Sequence, residues 1–196
     1  MTPELDISLP DTWFAIDPDR STRRASLEAD VDEWTEGHPV LTALREELLQ
    51  VLWEFAEEAD ALDALFAAMY WEPGEHGPTA ANLMVLKGER NATDVQTEIN
   101  TLMEVLARPQ IGDQSSREVS RIDLPIGPAV RLRGLGKAGH EPGEPALVID
   151  VAQIWIPVEH ELGMVVVTGT TPCLDVGDDV AEVVDTVATT VRYVTA

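Results

Sequence analysis

Asp178-Asp179-Val180-Ala181-Glu182-Val183-Val184-Asp185-Thr186-Val187-Ala188-Thr189-Thr190-Val191-Arg192-Tyr193 is the stretch on which the fold turns. It is rich in Val and Thr, and local propensity permits a strand. The spacing favours a helix. Val180, Val183, Val184, Val187, Val191 and Val194 follow the helical step, and Asp178-Asp179 put negative charge where a helix N-terminus favours it. The reading is therefore a helix from Asp178 to Tyr193. One apolar face needs a surface to cover, and the residues before it supply one. Leu147 to Ile156 is mostly apolar on both faces, as expected for a strand inside a sheet. Met164 to Thr171 is the next strand, and Pro172 stops it.

Further upstream, Val119 to Leu124 is a strand, Pro125-Ile126-Gly127-Pro128 a turn, and Ala129 to Arg133 an alternating, half-buried strand. Gly134 to Pro145, rich in Gly and Pro, reads as a surface loop. Asn91 is placed to cap a helix from Thr93 to Ala107, with Asp94 three residues on and an apolar face of Val95, Ile99, Leu102, Met103 and Leu106. Leu65 to Trp71 and Ala80 to Lys87 read as an antiparallel pair. Leu41, Leu44, Leu48, Val51, Leu52, Phe55, Ala59 and Leu62 give the strongest helical pattern, one helix from Val40 to Leu62. Ser21 to Gly37 is polar and compatible with a helix. Leu9 to Asp17, bracketed by Pro10 and Pro18, reads as a first strand. The sum is an α+β chain: an antiparallel sheet of about six or seven strands flanked by helices, in a single domain spanning 1–196.

Two runs carry a resemblance. Val148-Ile149-Asp150-Val151-Ala152-Gln153-Ile154-Trp155-Ile156-Pro157 is followed by Gly163-Met164-Val165-Val166-Val167-Thr168-Gly169-Thr170-Thr171-Pro172 and then by the valine-rich helix. This order resembles the PsbP-like/Mog-type α/β/α sandwich superfamily, in which a late strand stops short and a helix returns across the sheet. The opening Leu9-Pro10-Asp11-Thr12-Trp13 looks like its usual first strand. The resemblance implies a mainly non-catalytic role, since members include an extrinsic photosynthetic subunit and a GTPase-binding transport factor. Others are uncharacterised bacterial proteins and lipoproteins, many from actinobacteria. The preference for Arg over Lys and the abundance of Ala, Val, Asp and Glu look like a high-GC actinobacterial chain.

Charge narrows the function classes. The 196 residues carry 13 Lys and Arg against 36 Asp and Glu, a net −23. Nucleic acid and anionic membranes are disfavoured partners, because both are bound through clustered basic residues. The start, Met1-Thr2-Pro3-Glu4-Leu5-Asp6, lacks the basic n-region and apolar core of a signal peptide, and no apolar run reaches membrane-span length. A cytoplasmic location follows as the expectation. The lone Cys173 forms no intrachain disulfide.

Cys173 lies between a strand and a helix, where a thiolate is favoured, and His160 is a hairpin away. A Cys–His pair is the enzymatic alternative, although no nucleophile signature surrounds it and a buried, inert cysteine is the plainer reading. His38, His76, His140 and His160 sit in turns. Neither Glu72, Glu75 and His76 nor Glu159, His160 and Glu161 has converging metal-ligand spacing. No P-loop, dinucleotide fingerprint, nucleophile elbow or zincin motif occurs. No cofactor, metal or catalytic residue is expected.

One segment departs from the acidic background. From Arg108 to Lys137 the charge is +3, against −26 for the rest. Arg131 and Arg133 fall on one strand face. With Lys137 they are either a docking patch for an acidic partner or internal partners of the chain's own carboxylates. Trp71, beside Pro73-Gly74, is a candidate interface anchor. Trp155 is expected in the core. The leading function is a non-enzymatic protein-interaction module with an unidentified protein partner, to which a homodimer is compatible. The alternative is a small-ligand-binding protein or weak hydrolase using Cys173 and His160.

Overall fold

The computed structural model describes residues 4–37, 39–72, 78–108, 117–138, 147–158 and 163–194. Its centre is a seven-stranded, wholly antiparallel sheet in the order β2-β3-β4-β8-β7-β6-β5. The strands are β2 (Phe14–Ala15), β3 (Phe66–Glu72), β4 (Thr79–Gly88), β5 (Arg117–Leu124), β6 (Gly127–Ala138), β7 (Leu147–Pro157) and β8 (Met164–Thr171). A separate two-stranded pairing joins β1 (Glu4–Asp6) to β9 (Arg192–Val194), with Leu5 opposite Tyr193. Among the described residues five helices complete the α+β fold: α1 (Arg20–Thr35), α2 (Pro39–Ala43), α3 (Arg45–Ala61), α4 (Val95–Leu106) and α5 (Gly177–Thr190).

Alternation along the strands splits the sheet into two apolar faces. On one, Ala68, Leu83, Val85, Ile154, Ile156, Val165 and Val167 meet α5 through Val180, Val184, Val187 and Ala188. The helical spacing of the valines thus prevails over their strand propensity, because it buries them as one stripe. Gly169 of β8 lets this helix approach: a Cβ there would lie 2.5 Å from Val184 Cγ2 and 3.1 Å from Val180 Cγ1. The helix ends at Thr190 rather than Tyr193, and Arg192–Val194 extends as β9.

On the opposite face, two groups of helices divide the sheet. Leu27 and Val31 of α1 and Leu52, Phe55, Ala56 and Ala59 of α3 cover Ala67, Met69 and Met84. Ile99 and Leu102 of α4 cover Val130, Met164 and Val166, with the half-buried Trp155 at the margin. Arg23 of α1 is buried and ties the layer together. Its guanidinium donates to Asp60 Oδ2 at 2.7 Å and Oδ1 at 3.1 Å, and to the Asp17 and Pro18 carbonyls. Hydrogen bonding to this cation holds the Asp60 carboxyl below its ordinary value.

Four expectations need correction. The single helix from Val40 to Leu62 is broken at Leu44 (φ −98°, ψ 5°) into α2 and α3. The break lets Arg45 reach Asp32 of α1 at 2.7 Å and Thr42 reach the Thr35 carbonyl. It also turns Leu44, Val51 and Leu62 outward. Asp94, not Asn91, caps α4, accepting from the Thr97 backbone N–H. The Asn91 and Ala92 N–H groups donate instead to the buried Glu98 carboxylate. Gly134 to Ala138 continue β6 rather than opening a loop, and 139–146 lie outside the described residues. Gly136 fits where a Cβ would stand 3.0 Å from Val151 Cγ2 on β7. The first strand from Leu9 to Asp17 shrinks to Phe14–Ala15, paired with Met69 and Ala68 of β3, and the Ile16 N–H extends the pairing by donating to the Ala67 carbonyl at 2.9 Å.

Candidate functional site

The sequence candidates fall on opposite faces of the sheet. Arg131 and Arg133 share the α5 face of β6, as their spacing predicts, and that face is occupied. Arg131 meets Asp185 of α5 at 2.8 Å, and Arg133 meets Asp178 at 2.5 Å and Asp150 at 3.8 Å. Partial burial raises the Asp185 carboxyl above its ordinary value, and the two guanidinium groups oppose that shift. The arginines therefore hold α5 to the sheet. Lys137 is exposed farther along the same strand face.

Trp71 is on the other face, and the structure gives it neighbours that the sequence did not. Its ring stacks on Trp34 of α1, with centroids 5.9 Å apart and planes at 17°. Phe14 packs edge-on against Trp34 at 4.3 Å. The Trp34 Nε1–H is buried and has no hydrogen-bond partner among the described residues. Unsatisfied buried donors are uncommon and costly in native structures.

The Trp34 and Trp71 rings wall a cavity of about 330 Å³, open to solvent, at the edge of the α1–α3 layer. Leu48, Val51 and Leu52 of α3 form one side, and Met69, Trp71 and Ala80 the sheet side. Val51 is 54% exposed, although its neighbour Leu52 is only 2% exposed. Polar groups are few. Thr170 donates to Asn82 Oδ1 at 2.7 Å on the cavity floor, so each partly satisfies the other. A concave, mostly apolar site with a small number of polar groups is the usual form of a recognition pocket.

A solved structure that the chain is similar to is LpqN, described as involved in cell envelope biogenesis of Mycobacterium tuberculosis. The match covers 99% of this chain and 85% of that one, at 14% sequence identity and a TM-score of 0.49. No protein-family model and no curated protein matches the chain. The PsbP-like/Mog-type resemblance thus has no family match behind it.

The enzymatic pair cannot be assembled from the described residues. Cys173 is half-buried just after β8, with its Sγ 3.8 Å from the Pro78 carbonyl oxygen. His160 lies outside the described residues, as do His38, His76 and His140, together with Glu75, Glu159 and Glu161. Among the described residues no group of three or more His, Cys, Asp or Glu is arranged to hold a metal ion. Nor is any helix among them long and apolar enough to cross a membrane.

The sequence carries the cavity's apolar residues in a pattern indistinguishable from core. Val51 fits the apolar stripe of a continuous helix, and only the break at Leu44 shows that it is left over. Trp34 sits in a polar segment, where nothing local pairs it with Trp71.

Proposed function

We propose that this protein is a non-enzymatic interaction module whose recognition site is the Trp34–Val51–Trp71 cavity. Its occupant is an apolar side chain presented by a protein segment with basic flanks. The observation that carries this reading is the solvent-open apolar wall itself, in which Val51 is 54% exposed beside two tryptophans. Buried aromatic rings around a pocket are the usual anchors of binding energy. Charge sets the flanks. Glu47 and Glu54 stand four and three residues from Val51 on α3, on the same stripe, and both are exposed. A net −23 steers basic segments toward the surface and repels acidic ones.

The volume of about 330 Å³ also favours a second reading, a small apolar molecule in the same cavity, because it reaches the lower range of small-ligand pockets. Calorimetric titration separates the two. The probe is a short peptide with a central phenylalanine flanked by lysines, compared with the same peptide flanked by glutamates. Saturable binding of the first, weakened about tenfold or more both by glutamate flanks and by Val51→Gln, supports the protein-segment reading. Equal binding of both peptides, or binding indifferent to Val51→Gln, overturns it.

A further inference from the structure

We infer that β5 is an interface between copies of this chain, the strand pairing antiparallel with β5 of a second molecule about a two-fold axis at Ser120. β5 ends the sheet, and among the described residues no strand pairs with its outer side. An eight-residue edge offers a row of backbone donors and acceptors that a strand can complete. The opposite edge, β2, has only two residues and offers no comparable template.

The side chains select both the occupant and the register. A two-fold axis normal to the sheet pairs residues whose numbers sum to an even value, because directly opposed residues share a face. Two such registers give the longest overlaps. Centred on Arg121, the register sets Arg121 against the partner copy's Arg121, and like charges directly opposite are destabilising. Centred on Ser120, it sets Arg117 against the partner copy's Asp123, twice by symmetry, with serine facing serine at the axis. No like charges oppose each other there. The guanidinium has five donors, so this contact does not require Arg117 to release a present neighbour. Val119 then lies diagonally across from its own copy on the α4 face, where it already packs against the α4 cluster. The strand is thus complementary to itself. Isologous pairing of this kind closes as a dimer and leaves no propagating edge at β5.

Sedimentation equilibrium of the full chain over a range of concentrations tests this. The expected result is a monomer–dimer equilibrium. Asp123→Arg places arginine opposite arginine at both ends and raises the dimer dissociation constant about thirtyfold, with far-UV circular dichroism unchanged. Combining it with Arg117→Asp restores complementarity with the signs reversed, and the dimer returns. A wild type that stays monomeric at the highest concentration overturns the inference. So does a dimer insensitive to Asp123→Arg, or a double variant that remains as weak as the single one. Pairing of this edge with a strand of a different protein would give the monomeric result.

Discussion

Trp34 and Trp71 stack in the folded chain with ring centroids 5.9 Å apart, joining α1 to the end of β3. The two residues are far apart in sequence, and their contact converts two partly exposed aromatics into a wall. Stacked pairs add roughly 1 kcal/mol beyond their area burial, and the wall is in place with no ligand bound. A preformed wall lowers the ordering cost of association.

Val51 and Leu52 separate binding from stability. Val51→Gln leaves folding stability within about 0.5 kcal/mol, since the side chain is mostly in water and glutamine suits a helix. Leu52→Ala removes a fully buried side chain and costs about 3 kcal/mol. Urea denaturation of the two variants gives these values, and similar losses from both would place Val51 in the core.

Arg23→Met costs about 2 kcal/mol by the same assay, because it leaves the Asp17 and Pro18 carbonyls without their donor and leaves Asp60 only the exposed Arg20, 2.8 Å away. The pair also sets an acid limit. Asp60 is held below its ordinary value, chiefly by the Arg23 hydrogen bond. Its contribution is complete above the unfolded value of about 3.9 and is lost as pH falls through the lower, folded value. Wild type should therefore lose stability more steeply than Asp60→Asn below that pH. Parallel acid profiles would contradict the assignment.

Gly169→Ala tests the close approach of α5. The added methyl meets Val184 and Val180, and overpacking of this kind costs about 2 kcal/mol. Val184→Ala in the same chain recovers part of the loss that the two changes would produce if they were independent. Additive losses would mean that the helix does not touch β8 at this point.

The Tyr70 hydroxyl donates to Glu72, and this bond is the main reason its ionisation is pushed up to about 12. A raised folded value means that the pair supports the fold below the unfolded tyrosine value of about 10. That support disappears as pH rises through about 12. Ultraviolet titration in a Tyr193→Phe background should show the phenolate forming late, and Glu72→Gln should bring it back toward about 10. An unchanged titration would sink the pairing.

The fold was legible wherever burial and local pattern agree. The valine stripe of α5 and the α4 face announce themselves by period, whereas the β3–β4 pair is marked only by the Pro and Gly between its strands, since its Ala and Met also suit a helix. Legibility failed where a distant contact decides the outcome. Nothing near Leu44 signals a break, because its cause is Arg45 reaching Asp32 and Thr42 reaching Thr35 on another helix. Gly134 and Gly136 look like loop residues because a glycine needed for close strand packing and one needed for a turn are identical in sequence. Of the site candidates, the pattern correctly put Arg131 and Arg133 on one face. It could not show that Asp185 and Asp178, some fifty residues later, meet them there. Trp71 stands out in the sequence for the turn beside it, whereas its setting depends on Trp34 and Val51.

The most direct test of the cavity follows the indole N–H resonances of the five tryptophans by nuclear magnetic resonance during titration with the lysine-flanked phenylalanine peptide. The cavity reading predicts saturable shifts at Trp34 and Trp71, with Trp155 unmoved behind α4. Shifts at Trp155 alone, or none at Trp34 and Trp71 when calorimetry shows binding, would contradict it.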